Sequence, residues 1–332
     1  MKNGSDFILT MIILTALLTG CQNGGNSEKS GLEVTGPPDT VDSEVIQMTF
    51  DDLTRSYRLH LPDAYDPALG VYPVVLVLHG GFGDSEKIEQ TSGMSEKADQ
   101  EGFIAVYPDG TGKLNEMYAW NAGFCCGNAY KKYVDDVGFI YALISELINN
   151  YNIDSEKIYI AGFSNGGMMT YRLGAELSDL IASIAVVSGA GGGKFTENSD
   201  LYLMPEPNDT VSVIHFHGME DDIVPYEGSL PARPVSGEAY SYISVNESIA
   251  PWIQYNGCIT DAKEEIIADG NITVETYSGG RNNTEVVLYT ILDGTHSWPG
   301  SQGEVNTEEL PNYDISATDL IWNFFISHPK NN

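Results

Sequence analysis

The sequence predicts an α/β fold in which a mostly parallel central sheet carries helices on both faces. Three observations lead there. Short, near-continuous apolar runs recur along the chain, as strands buried on both sheet faces require. The clearest is Tyr72-Pro73-Val74-Val75-Leu76-Val77-Leu78-His79. Segments with a 3.6-residue period lie between these runs, and strands alternating with helices over this length build a parallel sheet. The 35 Gly and 15 Pro fall among periodic segments, marking tight turns rather than low complexity.

Taken in order, Val45 to Phe50 and Arg55 to Leu61 alternate as two strands of an opening hairpin ended by Pro62. The buried run to His79 follows, then helical spacing over Met94 to Gln100, then a strand over Phe103 to Pro108. Val134 to Tyr151 predicts a helix, with Val137, Ile140, Tyr141, Ile144, Leu147 and Ile148 on one face and Asp135 and Asp136 where acids favour a helix start. Lys157 to Gly162 is another buried strand, Gly166 to Leu177 a helix, and Ile184 to Ser188 and Val211 to His215 further strands. Gly189 to Asn208 and Glu227 to Ser248 lack a regular period and predict loops above the sheet, where α/β proteins place recognition. Ile272 to Tyr277 and Glu285 to Leu292 read as a hairpin or a pair of edge strands, and Ser316 to Ser327 as a closing amphipathic helix. No internal repeat is visible.

Sixteen Lys+Arg against 47 Asp+Glu give a formal charge of -31 in 332 residues, which excludes long-range attraction to nucleic acid or anionic lipid. With 42% hydrophobic residues the chain is not disordered throughout. No acidic run has EF-hand spacing. Residues 1 to 20 read as a signal peptide: Lys2, then an apolar run from Phe7 to Leu18 too short for an ordinary membrane span. Leu18-Thr19-Gly20-Cys21 resembles a bacterial lipobox, so Cys21 is the expected lipidation site and the protein is expected on the outer membrane or cell surface, anchored but not spanning. A plain secretory signal with an incidental Cys21 is the alternative. Residues 21 to 43, rich in Gly, Ser, Asn and Pro, predict a flexible tether, and 44 to 330 one catalytic domain. With Cys21 lipidated, Cys125, Cys126 and Cys258 remain to share a bridge in an oxidising compartment. Pairing of Cys258 with one of the vicinal cysteines is the expectation. No His stands at ligand spacing from the Cys pair, so no metal site is expected.

The strongest motif is Gly162-Phe163-Ser164-Asn165-Gly166, set between a predicted strand and a predicted helix. In that context it describes a nucleophile elbow, whose small flanking residues let the chain fold back and present the Ser164 hydroxyl at the carboxyl edge of the sheet. A serine needs a base, and the base an orienting acid. His296, in a loop after a predicted strand, fits best. His60 lies in the opening hairpin, His79 ends a strand where bracing the loop is its expected role, His215 and His217 alternate on one strand, and His328 is in the tail. Asp221 and Asp222 compete for the acid, and spacing does not separate them. Either gives the serine, acid, histidine order of α/β-hydrolases. The oxyanion donors are expected to be the N–H of Asn165 and that of Gly81 or Phe82. Trp120, Tyr226 and Trp298 flank these residues in sequence and are candidates for stacking on an aromatic acyl group.

These residues resemble the polyhydroxybutyrate depolymerase and feruloyl esterase group, akin to carbohydrate esterase family 1. The likeness rests on Leu78-His79-Gly80, Val106 to Gly110, Trp120 to Gly127, Val134 to Val137, the Ser164 elbow, His217-Gly218 with Val224-Pro225-Tyr226, Asn256-Gly257-Cys258 and His296 to Gly300. It implies an α/β-hydrolase with an acyl-enzyme on Ser164, no cofactor, and Asp221 as the acid, four residues after His217. It leaves open whether the ester substrate is feruloyl, acetylated xylan or a hydroxyalkanoate oligomer. The few residues after the catalytic domain carry no polymer-binding module, which favours a soluble ester over solid polyester. A glycan-binding protein without turnover and acyl transfer to a sugar acceptor are the competing expectations.

Overall fold

The computed structural model describes residues 43–113, 116–229, 240–301 and 310–330. Cys21 and the expected leader lie outside them, as does the tether except for Ser43. The chain opens with β1 (Glu44–Phe50) and β2 (Leu53–His60), paired antiparallel with Glu44 opposite Leu59. Asp51 and Asp52 turn the hairpin, both at positive φ (49° and 59°), as a two-residue link between right-twisted strands requires. Next come β3 (Tyr72–Leu78), α1 (Ser85–Ser92), α2 (Met94–Glu101) and β4 (Ile104–Pro108). Helix α1 has no apolar period of its own; Asp84 caps it by accepting the Lys87 N–H at 2.8 Å.

Short strands β5 (Thr111–Lys113) and β6 (Glu116–Ala119) precede α3 (Gly127–Lys131) and α4 (Asp136–Asn150). Then follow β7 (Ile153–Phe163), α5 (Asn165–Glu176) and β8 (Ser183–Val187). The remaining elements are β9 (Gly192–Lys194), β10 (Tyr202–Leu203), β11 (Ser212–Gly218), β12 (Ser241–Tyr242), α6 (Val245–Asn256), β13 (Lys263–Ile267), β14 (Ile272–Tyr277), β15 (Val286–Ile291) and α7 (Ala317–Ser327).

Ten strands form the main sheet in the order β1-β2-β4-β3-β7-β8-β11-β15-β14-β13. From β4 to β15 neighbouring strands are parallel, and the flanks are antiparallel. The expected mostly parallel sheet is therefore present. Alternation along β3 divides the core: Val74, Leu76 and Leu78 face α4, α5 and α6, while Val75 and Val77 face α1, α2 and α7.

Three expectations change. Both stretches read as loops contain structure, since β10, β9 and β12 make a small antiparallel sheet. Helix α6 begins inside the second of these stretches: Ser244 and Glu247 start it with a capping box, it runs on through Pro251 with Val245, Ile249, Trp252 and Ile253 buried along one face, and Gly257 ends it at φ 72°. The pair β14 and β15 is a hairpin but not a pair of edges: β15 lies against β11, and β13 covers β14.

Candidate active site

Strand β7 leads straight into Ser164, which holds φ 54° and ψ −120° before α5 begins. Its N–H donates to Val187 O at 2.9 Å and its carbonyl accepts the Met168 N–H at 2.9 Å, so the strained residue is tied to β8 and to the helix. Gly162 and Gly166 are required by close approach. A Cβ on Gly162 would run into the carbonyl of Gly166, and one on Gly166 into the carbonyls of Leu78 and His79. The turn is thus packed on itself and on the end of β3.

Asn165 secures the neighbouring loop. Its side-chain oxygen accepts the Trp120 N–H at 2.8 Å and its amide donates to Trp120 O at 3.2 Å. The same loop is held from beneath by a buried ion pair. Arg55 Nη2 lies 2.9 Å from Asp136 Oδ1, and Asp136 Oδ2 accepts the Asn121 N–H at 2.8 Å. The guanidinium rests 3.7 Å over the Phe139 ring.

The acid comes from the turn after β11. Asp221 Oδ1 accepts the N–H groups of Ile223 (2.9 Å) and Val224 (2.8 Å), and Oδ2 meets His296 Nδ1 at 2.8 Å. Asp221, not the exposed Asp222, reaches the histidine. Burial acts to raise the Asp221 carboxyl, but the His296 charge and hydrogen bonds from His217 and His296 outweigh it and hold the group well below the ordinary carboxylate range. Glycines at 218 and 294 let the acid and base loops touch backbone to backbone, with the Glu220 N–H donating to Gly294 O at 2.9 Å. The His296 ring packs 5.0 Å from that of Phe163, next to the elbow.

Ser164 and His296 open into one cavity of about 250 Å³. Its walls are chiefly apolar, formed by Met168, Ile223, Val224, Tyr240 and Tyr242 together with Gly81 and Phe82. The Phe82 N–H donates to Tyr118 O at 2.7 Å and so drops out as an oxyanion donor, while Gly81 lines the cavity with Asn165 beside it. His79 braces the loop: Nδ1 donates to Gly80 O at 2.7 Å and Nε2 accepts the Gly110 N–H at 2.9 Å.

Sequence adjacency misplaces all three aromatic candidates. Trp120 is fully buried, its indole N–H on His79 O at 3.0 Å. Tyr226 donates or accepts at Thr290 Oγ1 (2.8 Å) and packs edge-on to His217. Trp298 points away from the cavity into the α7 side of the core, donating to Thr318 Oγ1 at 3.0 Å. Tyr240 and Tyr242 take their place as cavity aromatics. They belong to the stretch without period, where no regular spacing could mark them. The cysteine expectation also changes. Cys125 pairs with Cys126, and Cys126 lines the cavity. Cys258 is a free, buried thiol after α6, near Thr284 just before β15, whereas the pair lies at the opposite, carboxyl edge of the sheet. Among the described residues no group of three or more His, Cys, Asp or Glu could hold a metal ion.

Comparison with known proteins adds independent findings. Residues 55–265 match the family described as Esterase PHB depolymerase. A putative esterase of Nocardia uniformis subsp. tsuyamanensis is 30% identical over 258 residues, 74% of this chain and 71% of that protein. Feruloyl esterase B of Piromyces equi is 29% identical over 226 residues, 68% of this chain and 39% of that protein, so the chain spans about two fifths of its length. In structure, an acetyl xylan esterase from Aspergillus awamori superposes with a TM-score of 0.57 at 15% identity, covering 85% of this chain and 98% of that one; it shares the fold.

Proposed function

The chain belongs to the esterase PHB depolymerase family and is a carboxylic ester hydrolase; we propose that it works through an acyl-enzyme on Ser164, with His296 as base and Asp221 as orienting acid. The observation that carries this reading is that Ser164 and His296 line one cavity while His296 is held by the Asp221 hydrogen bond of 2.8 Å. His296 Nδ1–H donates to Asp221, leaving Nε2 to take the Ser164 proton as Oγ attacks the ester carbonyl. The N–H groups of Asn165 and Gly81 hold the oxyanion. The imidazolium then protonates the departing alcohol, and a water deprotonated by His296 releases the acid and frees Ser164.

The substrate reading is a feruloyl or related hydroxycinnamoyl ester of plant polysaccharide. A cavity of about 250 Å³ holds an acyl group and leaves the sugar outside, and its aromatic and aliphatic walls suit a planar ring. The Piromyces relative named Feruloyl esterase B supports the same choice. The test is kcat/KM on methyl ferulate against p-nitrophenyl acetate, with Ser164→Ala as blank. Ferulate turnover equal to or above acetate turnover is expected. Ferulate turnover at the blank, with brisk acetate cleavage, would move the substrate to acetylated glycans or hydroxyalkanoate oligomers.

Export and lipid anchoring through Cys21 complete the proposal, resting on Leu18-Thr19-Gly20-Cys21 after the apolar run. Cells fed an alkynyl fatty acid should label the wild-type chain and not Cys21→Ser; equal labelling of both would refute the anchor.

A further inference from the structure

Behind the site runs a hydrogen-bonded array that ester hydrolysis as described leaves unused. Tyr171 lies on α5, the helix that opens at Ser164. Its hydroxyl is 2.6 Å from His215 Nδ1, and His215 Nε2 is 3.0 Å from His217 Nδ1. His217 Nε2 is in turn 2.7 Å from Val224 O and 3.4 Å from Asp221 Oδ2. All four side chains are buried, at 0 to 3% exposure. The array therefore joins the helix of the nucleophile to the turn of the acid without contact with water.

Donor accounting fixes where its protons are. A carbonyl only accepts, so His217 Nε2 carries hydrogen. Burial holds His215 well below its ordinary pKa, so that ring is neutral with one proton. With a single proton on His215, the arrangement that leaves Tyr171 O–H as a donor has His215 Nδ1 accepting it, His215 Nε2–H donating to His217 Nδ1, and His217 Nδ1 accepting. Every donor then points toward the acid turn and no ring nitrogen is left unsatisfied. The opposite arrangement, with His217 Nδ1 donating, would make His215 Nε2 the acceptor and turn its Nδ1–H onto the Tyr171 oxygen, leaving the Tyr171 O–H without this partner.

We propose that His217 is a positioning residue for the acid: its Nε2–H, aimed by His215 and Tyr171, clamps the 221–224 turn and Asp221 Oδ2 so that the carboxylate meets His296. The inference rests on the Ser164, Asp221, His296 reading. In a folded His217→Leu variant kcat should fall about 10- to 100-fold, the worth of one hydrogen bond to a charged group. KM should change by less than about threefold, because the lost interaction belongs to the transition state. His217→Gln, which places an amide donor near the Nε2 position, should recover most of the loss. With ¹⁵N-labelled imidazoles, His215 and His217 should both read as neutral Nε2–H tautomers.

A wild-type kcat in folded His217→Leu, equal losses in the Leu and Gln variants, or an Nδ1–H tautomer at His217 would each overturn the proposal. If His217→Leu does not fold, Tyr171→Phe carries the test. It keeps the ring and removes the proton that fixes His215, so kcat should fall about 3- to 10-fold at unchanged KM, and an unchanged kcat would refute the role. Ser164→Ala separates the two readings. Activity surviving there sinks the acyl-enzyme, whereas an inactive Ser164→Ala beside a fully active His217→Leu sinks only the clamp.

Discussion

Ser164 shows how much chemistry one backbone conformation carries. At φ 54° it stands where an L-residue is strained, and the strain persists because Val187, Met168 and the two close-packed glycines leave no other path. Ser164→Ala removes the nucleophile without disturbing that packing, so ester turnover should drop on the order of 10⁴-fold or more while the melting temperature barely moves. Arg55 makes the complementary case for a residue far from the chemistry. Arg55→Met would leave Asp136 as a buried carboxylate already raised by burial, and denaturant unfolding should report a loss of about 3–5 kcal/mol. Single residues were legible in the sequence where chemistry constrains them: the serine in its elbow, the histidine in its loop, and His79 as a brace. Trp120, Tyr226 and Trp298 fall outside the cavity although they flank its residues in sequence, because nearness along the chain does not say on which side of a loop a ring falls. Cys258 stays unpaired for the same kind of reason, since which edge of the sheet a cysteine occupies is a matter of topology.

At the scale of elements, the buried strands were legible because a strand covered on both faces must be apolar along its length, as in Val74 to Leu78. Helix α4 was legible from its period and the Asp135 cap. The β9, β10 and β12 strands were not, because two or three residues are too few to show a period and Gly192 and Gly193 packing with tertiary contact specifies them; helix α6 does carry a period, Val245, Ile249, Trp252 and Ile253, but Pro251 within it and its start inside an irregular stretch hide it. The strand-turn-helix unit depends on two absent methyl groups. Gly166→Ala should cost about 1–3 kcal/mol from overpacking against Leu78 and His79, and activity should fall further than stability as Ser164 is displaced. A Gly166→Ala chain with wild-type melting temperature and turnover would show that the elbow tolerates widening.

Across the whole molecule, buried neutral imidazoles tie stability to pH. Burial lowers both His79 and His215 below their ordinary value, so between the folded and unfolded pKa values the unfolded chain binds more protons. Stability is therefore full above about pH 6.5 and falls as the pH drops, by about 1.4 kcal/mol per unit for each ring. Melting temperature should hold above about pH 6.5 and decline from there to pH 5, and His215→Gln should flatten that slope; a slope unchanged by the substitution would contradict the assignment. The formal charge of -31 predicts in addition that raising the ionic strength from about 0.01 to 0.15 M stabilises the chain by screening self-repulsion.

The central claim, that Ser164 forms a covalent intermediate served by His296, is tested most directly by treating the purified chain with a fluorophosphonate and locating the adduct by peptide mass spectrometry. One phosphonyl group on Ser164 is predicted, absent in Ser164→Ala and slowed severely in His296→Ala. An active enzyme that stays unlabelled, or that is labelled elsewhere while Ser164→Ala still turns over ester, would contradict it.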